Sequence, residues 1–429
     1  MTNVLLITPP FTQLSSPYSA MPFLSGTLKK VGIESRQTDL GLLTALEFFS
    51  TNGLIAFFDE IEKSKIKKTP QIIKFISQKM RYINTIDSII LFLQGKYDIL
   101  AERIIKRDFI PENNRFLILN EINLKNLGLI EKAKFMATLY IDDIVDLAKM
   151  TILPDFNLAS YYERLAGSAG CFDAIYNEIN NKNDLICQIV ESILAKEDFN
   201  EVTLVGISVP FPGNLYSTLK IAKWLKKNYP NIKIAIGGGY VSTELRLLKD
   251  YRIFEFVDFI SLDSGEAPLL SIIDFMNGKI SKNNLCRTFV SENNMVRFID
   301  NYGRGDLFGD ELGVPDYKDL PLEKYLTLYE TTNKMHRLWS TRIFLKLRVA
   351  YGCYHAKCSF CDTTLDYIKS YKPTDVALLI KQIKQIIKDT NIYAFHFVDE
   401  ALPPHILKKL AIELLKENIN IVWWGNIRF

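Results

Sequence analysis

The sequence predicts an α/β protein in which an open, doubly wound parallel sheet carries a long helical insertion and is followed by a second β/α series. Three observations predict this fold class. The chain begins with a β-α-β pattern over residues 4–39, the same pattern returns at residue 202, and strands and helices alternate again from residue 343. With 429 residues, 48% of them hydrophobic and 24% charged, the chain is long enough for two or three domains with buried cores.

The first unit opens with an apolar run at residues 4–8, which predicts a buried strand ending at Thr8, Pro9 and Pro10. A helix is expected at 21–30 and a second strand at 33–39. Residues 42–199 instead carry helical periodicity with little strand signal, so we interpret them as a helical insertion. Cys171 and Cys187 fall in this insertion and, as isolated cysteines, are predicted to be small core residues.

The β/α pattern resumes with predicted strands at 202–208, 232–236 and 256–262. Together with the two earlier strands they reach the number expected of a flavodoxin-like (Rossmann-like) unit, which binds ligands at the carboxyl ends of its strands. We therefore assign residues 1–41 and 200–283 to a first α/β domain and 42–199 to the insertion. Residues 284–342 form a connector with a predicted hairpin at 287–298, and 343–429 form a second domain.

The second β/α series begins with a strand at 343–350 that runs into a cysteine-rich loop. Cys353, Cys358 and Cys361 are spaced C-x4-C-x2-C and make up half of the six cysteines in the chain. Three thiolates leave one corner of a 4Fe-4S cluster open for another ligand, an asymmetry that suits an enzyme. Zinc is the alternative, because His355 or His396 would complete a Cys3His site.

Composition and the start of the chain exclude several other classes. A net charge of +3 gives no case for nucleic-acid binding. No run approaches the ~18 apolar residues that a membrane span requires, and the first ten residues lack the basic start of a signal peptide. Clustered cysteines without an export signal indicate metal binding in a reducing compartment, so we predict a cytoplasmic protein.

The cysteine loop resembles the start of a radical S-adenosylmethionine (SAM) domain. Phe360 directly precedes the third cysteine, and the loop follows the first strand of its β/α series, although that family usually has the spacing C-x3-C-x2-C. The resemblance implies a 4Fe-4S cluster on Cys353, Cys358 and Cys361 with SAM at its open iron. It places Phe360 near the adenine and Asp399 and Glu400 at the SAM amino group. The alternative for the two carboxylates is that they cap the following helix.

With such a domain downstream, the first unit resembles the corrinoid-binding domain of the cobalamin-binding (B12-binding) radical SAM enzymes. The chain has no histidine before His336, so a histidine below the cobalt is not expected from this domain. The glycine run is not a G-x-G-x-x-G fingerprint, and its missing side chains are expected to let a bulky ligand approach. A β/α domain without the cofactor is the alternative. The implied cobalamin-binding residues are Thr8, Pro9, Pro10, Ser208, Gly237, Gly238, Gly239, Tyr240, Gly265 and Glu266.

The resemblance implies an enzyme that uses a 5′-deoxyadenosyl radical and methylcobalamin to methylate an unactivated carbon of a peptide or small natural product. It also implies an electron donor such as flavodoxin or ferredoxin. Rearrangement or cyclisation, a zinc-stabilised binding protein and a split subunit are the alternatives. From residue 343 the sequence predicts only the first half of a (β/α)6 partial barrel, which suggests a fragment or a second polypeptide that completes it. Trp424 and Arg428 are candidates to face its cavity.

Overall fold

The computed structural model describes residues 2–158, 172–329 and 341–428. Cys171 and His336 lie outside these ranges. Within them the chain forms a mixed α/β structure with two parallel-rich sheets, as the sequence predicts.

The first sheet has seven strands, in the order β2-β1-β3-β4-β5-β6-β7. Strands β1 to β5 pair in parallel, and α1 (Ala20–Lys30) connects β1 to β2. The order 2-1-3-4-5 is that of flavodoxin-like sheets, which place a ligand-binding crevice at the carboxyl ends of their strands. The strands are β1 (Asn3–Thr8), β2 (Ser35–Asp39), β3 (Val202–Ser208), β4 (Lys233–Gly237), β5 (Phe259–Ser261), β6 (Thr288–Glu292) and β7 (Met295–Ile299).

Strands β6 and β7 form the hairpin that was predicted at 287–298, and β6 pairs antiparallel with β5. The hairpin therefore lengthens the first sheet, although it belongs by sequence to the predicted connector. β5 is shorter than the predicted strand at 256–262, because a 3-10 helix at Tyr251–Glu255 precedes it and Asp258 bonds to the start of β4. The predicted domain boundaries stay predictions.

The insertion between β2 and β3 is helical, and no strand occurs between residues 42 and 199 in the part that is described. Its helices share a large apolar core with one face of the first sheet, centred on residues such as Phe48, Phe57, Tyr82 and Tyr140. The helices are α2 (Leu40–Phe48), α3 (Thr51–Lys63), α4 (Pro70–Ser77), α5 (Lys79–Leu93), α6 (Leu100–Ile105), α7 (Leu129–Met150), α8 (Asp173–Asn181) and α9 (Leu185–Leu194).

The two faces of the first sheet bury alternate residues of the same strands, as the two-residue period of a strand requires. Leu5 and Ile7 of β1 pack with the insertion and with α10 (Gly213–Asn228). Val4 and Leu6 pack on the other face with α1 and α12 (Glu266–Met276). The short helix α11 (Gly239–Glu244) follows β4. Since both faces are covered, the strand ends remain as the place for a site.

The second sheet has three parallel strands in the order β12-β11-β8, the predicted start of a β/α barrel. Leu345, Leu347, Phe395 and Phe397 share a core with its two long helices. A short antiparallel pair, β9 with β10, frames the cysteine loop. The elements are β8 (Leu345–Leu347), β9 (Ala350–Tyr351), α13 (Asp366–Lys369), β10 (Lys372–Pro373), α14 (Val376–Thr390), β11 (Ala394–Phe397), α15 (Pro404–Lys416) and β12 (Val422–Gly425).

None of the described helices is by itself long and apolar enough to cross a membrane, although the bent pair of α2 and α3 passes that test of length and composition.

Candidate functional site

The two sheets meet at a cavity of about 550 Å³ into which the carboxyl ends of their strands open. The first sheet contributes the ends of β3, β4 and β5 and the loops that follow them. The second sheet contributes the segments after β8 and β11. The residues that line the cavity include Tyr18, Phe23, Leu24, Ser208, Gly237, Gly238, Gly239, Asp263, Gly265, Glu266, Arg348, Tyr351, Cys353, Tyr367, Val398, Asp399 and Glu400.

Most of the predicted cobalamin-binding residues of the first sheet line this cavity, and four do not. Ser208, the three glycines at 237–239, Gly265 and Glu266 belong to its lining. Thr8, Pro9, Pro10 and Tyr240 lie outside it.

The loop after β1 turns away from the cavity because α10 holds its backbone. Asn214 Nδ2 donates hydrogen bonds to the carbonyls of Pro10 and Phe11, and the Ser217 hydroxyl also donates to Pro10. Tyr240 instead lies in the apolar core, where its backbone N–H bonds to the carbonyls of Val209 and Pro210.

The glycine run has a structural role that the sequence did not reveal. Gly238 has a φ of 114°, and a Cβ there would meet the backbone of Val209 at 2.8–2.9 Å. The missing side chain therefore lets the loop after β3 approach, rather than a ligand. At Gly237 a Cβ would make only ordinary contacts, the nearest being 3.5 Å to the Ser261 carbonyl.

Ser208 presents an unused polar group at the end of β3. Its hydroxyl is buried and has no hydrogen-bond partner among the residues that the structure describes. Since buried polar atoms are nearly always paired, an orphaned hydroxyl in a cavity wall fits a site that receives a polar ligand group.

The cysteine loop lies at the edge of the cavity, with Cys353 in its lining. The Cys361 N–H bonds to the Cys358 carbonyl at 3.1 Å. Desolvation, followed by the neighbouring thiols Cys358 and Cys353, raises the pKa of Cys361. Within the described ranges these thiols do not converge into a group that could hold a metal ion. As a donor set, three partly exposed thiols on one loop still fit an iron–sulfur cluster.

Two other residues that were predicted near the cluster, Phe360 and His396, lie in different parts of the structure. Phe360 is 86% exposed and lies outside the cavity lining. His396, a candidate zinc ligand, has its Nδ1 3.1 Å from Lys346 Nζ and its ring stacked on Trp424 at 3.5 Å between centroids. It therefore belongs to the second sheet and not to the cysteine loop.

Asp399, just after β11, is hydrogen-bonded to the backbone between β8 and the cysteine loop. Its carboxylate, 7% exposed, accepts the Val349 N–H at 2.8 Å and the Ala350 N–H at 2.6 Å. Burial raises the pKa of Asp399 to about 6, and these hydrogen bonds oppose the shift. It does not cap the following helix, whose N-cap is Pro403. Asp399 and Glu400 both line the cavity.

The charged side chains of the lining are mostly acidic. Asp263 is paired with Arg246 and Arg287, which lie outside the cavity. Glu266, Asp399 and Glu400 are the other acidic lining residues, and Arg348, whose Nη2 lies 3.8 Å from Glu266 Oε1, is the single basic residue among the described lining residues. The balance of charge therefore favours a ligand that carries positive charge.

Several lining residues escaped the sequence analysis. Phe23 and Leu24 lie on α1, and Tyr18 lies just before it. Burial raises the pKa of Tyr18 to about 12, which keeps its hydroxyl neutral. No local pattern marks these residues, since only the tertiary fold brings α1 to the strand ends. Arg348 could have been found, because it directly follows β8 at the position where ligands are expected.

Trp424 and Arg428 do not belong to the lining. Trp424 lies in a row with His396 and Lys346, which occupy paired positions of β12, β11 and β8. Arg428 instead reaches the cysteine loop, where its Nη1 lies 3.1 Å from Cys358 Sγ.

No protein-family model and no curated protein matches this chain. Solved structures do. The cobalamin-dependent SAM radical enzyme OxsB, with aqua-cobalamin and SAM bound, aligns with 99% of this chain and 38% of its own, at 13% identity and a TM-score of 0.48. The radical SAM methyltransferase TsrM from Kitasatospora setae, with tryptophan and a SAM analogue bound, aligns with 97% of this chain and 52% of its own, at 10% identity and a TM-score of 0.46. A second TsrM structure holds cobalamin and a 4Fe-4S cluster and has the same identity and TM-score. The chain spans about two fifths of OxsB and half of TsrM.

Proposed function

We propose that this chain is the cofactor-binding part of a cobalamin-dependent radical SAM enzyme. One observation supports the proposal above the others: the strand ends of a flavodoxin-like sheet and of a β/α sheet with a three-cysteine loop open into one cavity. Ligand sites form at such strand ends in both architectures.

In this proposal each sheet holds its own cofactor. Cys353, Cys358 and Cys361 hold a 4Fe-4S cluster, and Asp399 and Glu400 face the amino group of SAM. Ser208 and the glycine loop at 237–239 hold a corrinoid. SAM carries a sulfonium and an ammonium, so the acidic lining suits it. When bound, these cofactors supply radical hydrogen abstraction and methyl transfer.

The chain's own residues bind and orient these groups. Asp399 is fixed by two backbone N–H groups, so its carboxylate does not need to reorganise when a cation arrives. Tyr18, Phe23, Leu24 and Tyr351 supply an apolar wall that excludes water from the space between the two sheets.

We further propose that the reaction is methylation of an unactivated carbon on a peptide or small natural product, with flavodoxin or ferredoxin as electron donor. We also propose that the helical insertion, which packs on one face of the first sheet, contributes contacts to the substrate outside the cavity lining. A second polypeptide that continues the β12 edge would complete the barrel.

Anaerobic reconstitution with iron and sulfide, followed by metal analysis, tests the cluster assignment. About four iron atoms per chain are expected. Cys358→Ala should lose most of the iron, whereas Cys187→Ala, which removes a buried cysteine of α9, should keep it. Stoichiometric zinc without iron would overturn the radical SAM assignment.

Equilibrium dialysis with hydroxocobalamin tests the corrinoid assignment separately. Cys358→Ala should retain the corrinoid, because the binding residues are assigned to the first sheet. If the intact protein binds no corrinoid, the cobalamin part of the proposal fails even where the cluster forms.

A further inference from the structure

Arg348 has an unusual place in the cavity. It directly follows β8, and it is the one basic side chain among the described lining residues. Its guanidinium carbon lies 5.7 Å from the centroid of the Phe23 ring and 5.5 Å from that of Tyr351. Phe23 lies on α1, beside the first sheet, and Tyr351 lies on β9, so the two cation–π contacts come from different parts of the cavity wall.

The Arg348 guanidinium has an ion-pair partner but no hydrogen-bond partner among the described residues. Its Nη2 lies 3.8 Å from Glu266 Oε1, which is an ion-pair distance beyond hydrogen-bond range. In the described parts of the chain its five N–H donors make no hydrogen bond, whereas Arg287 and Arg246 are both hydrogen-bonded to carboxylates. A guanidinium between two aromatic rings, with free donors, is preorganised for a two-oxygen acceptor.

The acidic residues around Arg348 limit where the anionic group of a ligand can bind in this cavity. Glu266, Asp399 and Glu400 would repel an anionic group anywhere else in the lining. A ligand that carries both a cation and an anion would therefore direct its cation to these carboxylates and its anion to Arg348.

We propose that Arg348 binds the anionic group of the ligand in this cavity, a carboxylate or a phosphate, and that Glu266 holds the guanidinium until that group arrives. The inference rests on the proposed function, which offers two sources of such a group. One is the carboxylate of SAM, and the other is the phosphate in the nucleotide loop of cobalamin. Arg348 then determines which ligands the acidic cavity accepts.

The test compares each ligand with a relative that lacks the anionic group; decarboxylated SAM lacks only the carboxylate, whereas cobinamide lacks the whole nucleotide loop that carries the phosphate. Reconstituted wild type and Arg348→Gln are titrated anaerobically by calorimetry with SAM and with decarboxylated SAM, and separately with hydroxocobalamin and with cobinamide. For the ligand that uses Arg348, the variant should bind about 10- to 100-fold more weakly, the range expected for lost charge-assisted hydrogen bonds. Its partner without the anionic group should bind the variant and the wild type within about twofold, which is below the smallest of these losses.

Two further variants control the experiment. Arg348→Lys keeps the charge but loses the planar fork, and it should fall between wild type and Arg348→Gln. Arg297→Gln removes an exposed arginine on the β6–β7 hairpin and should bind all four ligands like wild type.

The outcomes separate the inference from the proposed function. A selective loss for SAM identifies the carboxylate, and a selective loss for cobalamin identifies the phosphate. Unchanged affinity for both, or equal losses for ligands with and without the anionic group, would overturn the role of Arg348. If wild type binds neither SAM nor corrinoid, the proposed function itself fails.

Discussion

At the scale of single residues, the contact between Arg428 and Cys358 joins two parts of the chain that lie far apart in sequence. Arg428 follows β12, and Cys358 lies in the loop after β8. The N–H to sulfur contact of 3.1 Å brings a permanent positive charge to a proposed cluster ligand. Hydrogen bonds to ligand sulfurs are among the features that set the potentials of iron–sulfur clusters.

Arg428→Met should therefore lower the reduction potential of the reconstituted cluster, because the positive donor stabilises the reduced, more negative cluster more than the oxidised one. A hydrogen bond to a charged group contributes about 1.5 kcal/mol, which corresponds to roughly 60 mV for one electron. A redox titration followed by electron paramagnetic resonance measures the shift. Arg297→Met, on the distant hairpin, serves as the control, and an unchanged potential in Arg428→Met would contradict the assignment.

At the scale of elements, the second sheet carries a polar row on the face opposite its helices. Lys346, His396 and Trp424 occupy paired positions of three neighbouring strands. Burial, and then the charge of Lys346, lowers the pKa of His396 to about 3, so its neutral ring accepts a hydrogen bond from the lysine. Lys346 is 8% exposed and forms no ion pair with a described residue. The row therefore buries a charge at a cost to stability.

That cost predicts a pH dependence. Burial lowers the pKa of Lys346 from 10.5 to about 8, so between these values the unfolded chain binds the proton more tightly than the folded one. The stability of wild type relative to Lys346→Met should therefore rise as pH increases from about 8 to 10.5, by on the order of 3 kcal/mol. Below pH 8 the cost is fully present and the variant is favoured. Urea unfolding of both proteins across this range measures the difference, and a difference independent of pH would contradict the buried charge.

The strands and the loops that follow them show which parts of the fold and of the site can be predicted from the sequence. Apolar runs such as residues 4–8 and 202–208 gave the strands because a parallel strand covered on both faces has to be apolar throughout. Ser208, Gly237 and Glu266 were predicted as site residues because ligand residues follow strand ends, and all three line the cavity. Pro10 and Tyr240 follow strand ends as well, yet Asn214 and the apolar core hold them elsewhere. Such long-range contacts leave no local pattern, and the same is true of Phe23, which reaches the cavity from a helix.

At the scale of the whole molecule, the edge strands of the two sheets differ in how well they are covered. The hairpin extends the β5 side of the first sheet, and the outer strand β2 is covered, with Gln37 donating to the Asp316 carbonyl. In the second sheet β12 pairs only with β11 among the described strands. Val422 and Trp423 on that strand are both partly exposed. An uncovered apolar edge of this kind favours pairing with another chain.

We therefore expect the 429-residue chain to self-associate through β12 as its concentration rises. Val422→Lys places a charge on this edge at a residue that is 45% exposed, and it should reduce the association without unfolding the protein. Val31→Lys changes a similarly exposed valine (38%) after α1 and should leave the association as it is. Light scattering over a concentration series compares the three proteins, and equal association in all of them would exclude the β12 edge.

The shared cavity also has a consequence for the order of events in the cell. Its walls come from residues as early as Leu6 and as late as Glu400. During synthesis the first sheet can fold while the second is still being made, because domains generally fold as units from the amino terminus. Until residues 398–400 have left the ribosome and the second sheet has formed, nothing encloses a ligand. Any small molecule that fills this space must therefore be acquired after translation of both sheets, by a folded apoprotein.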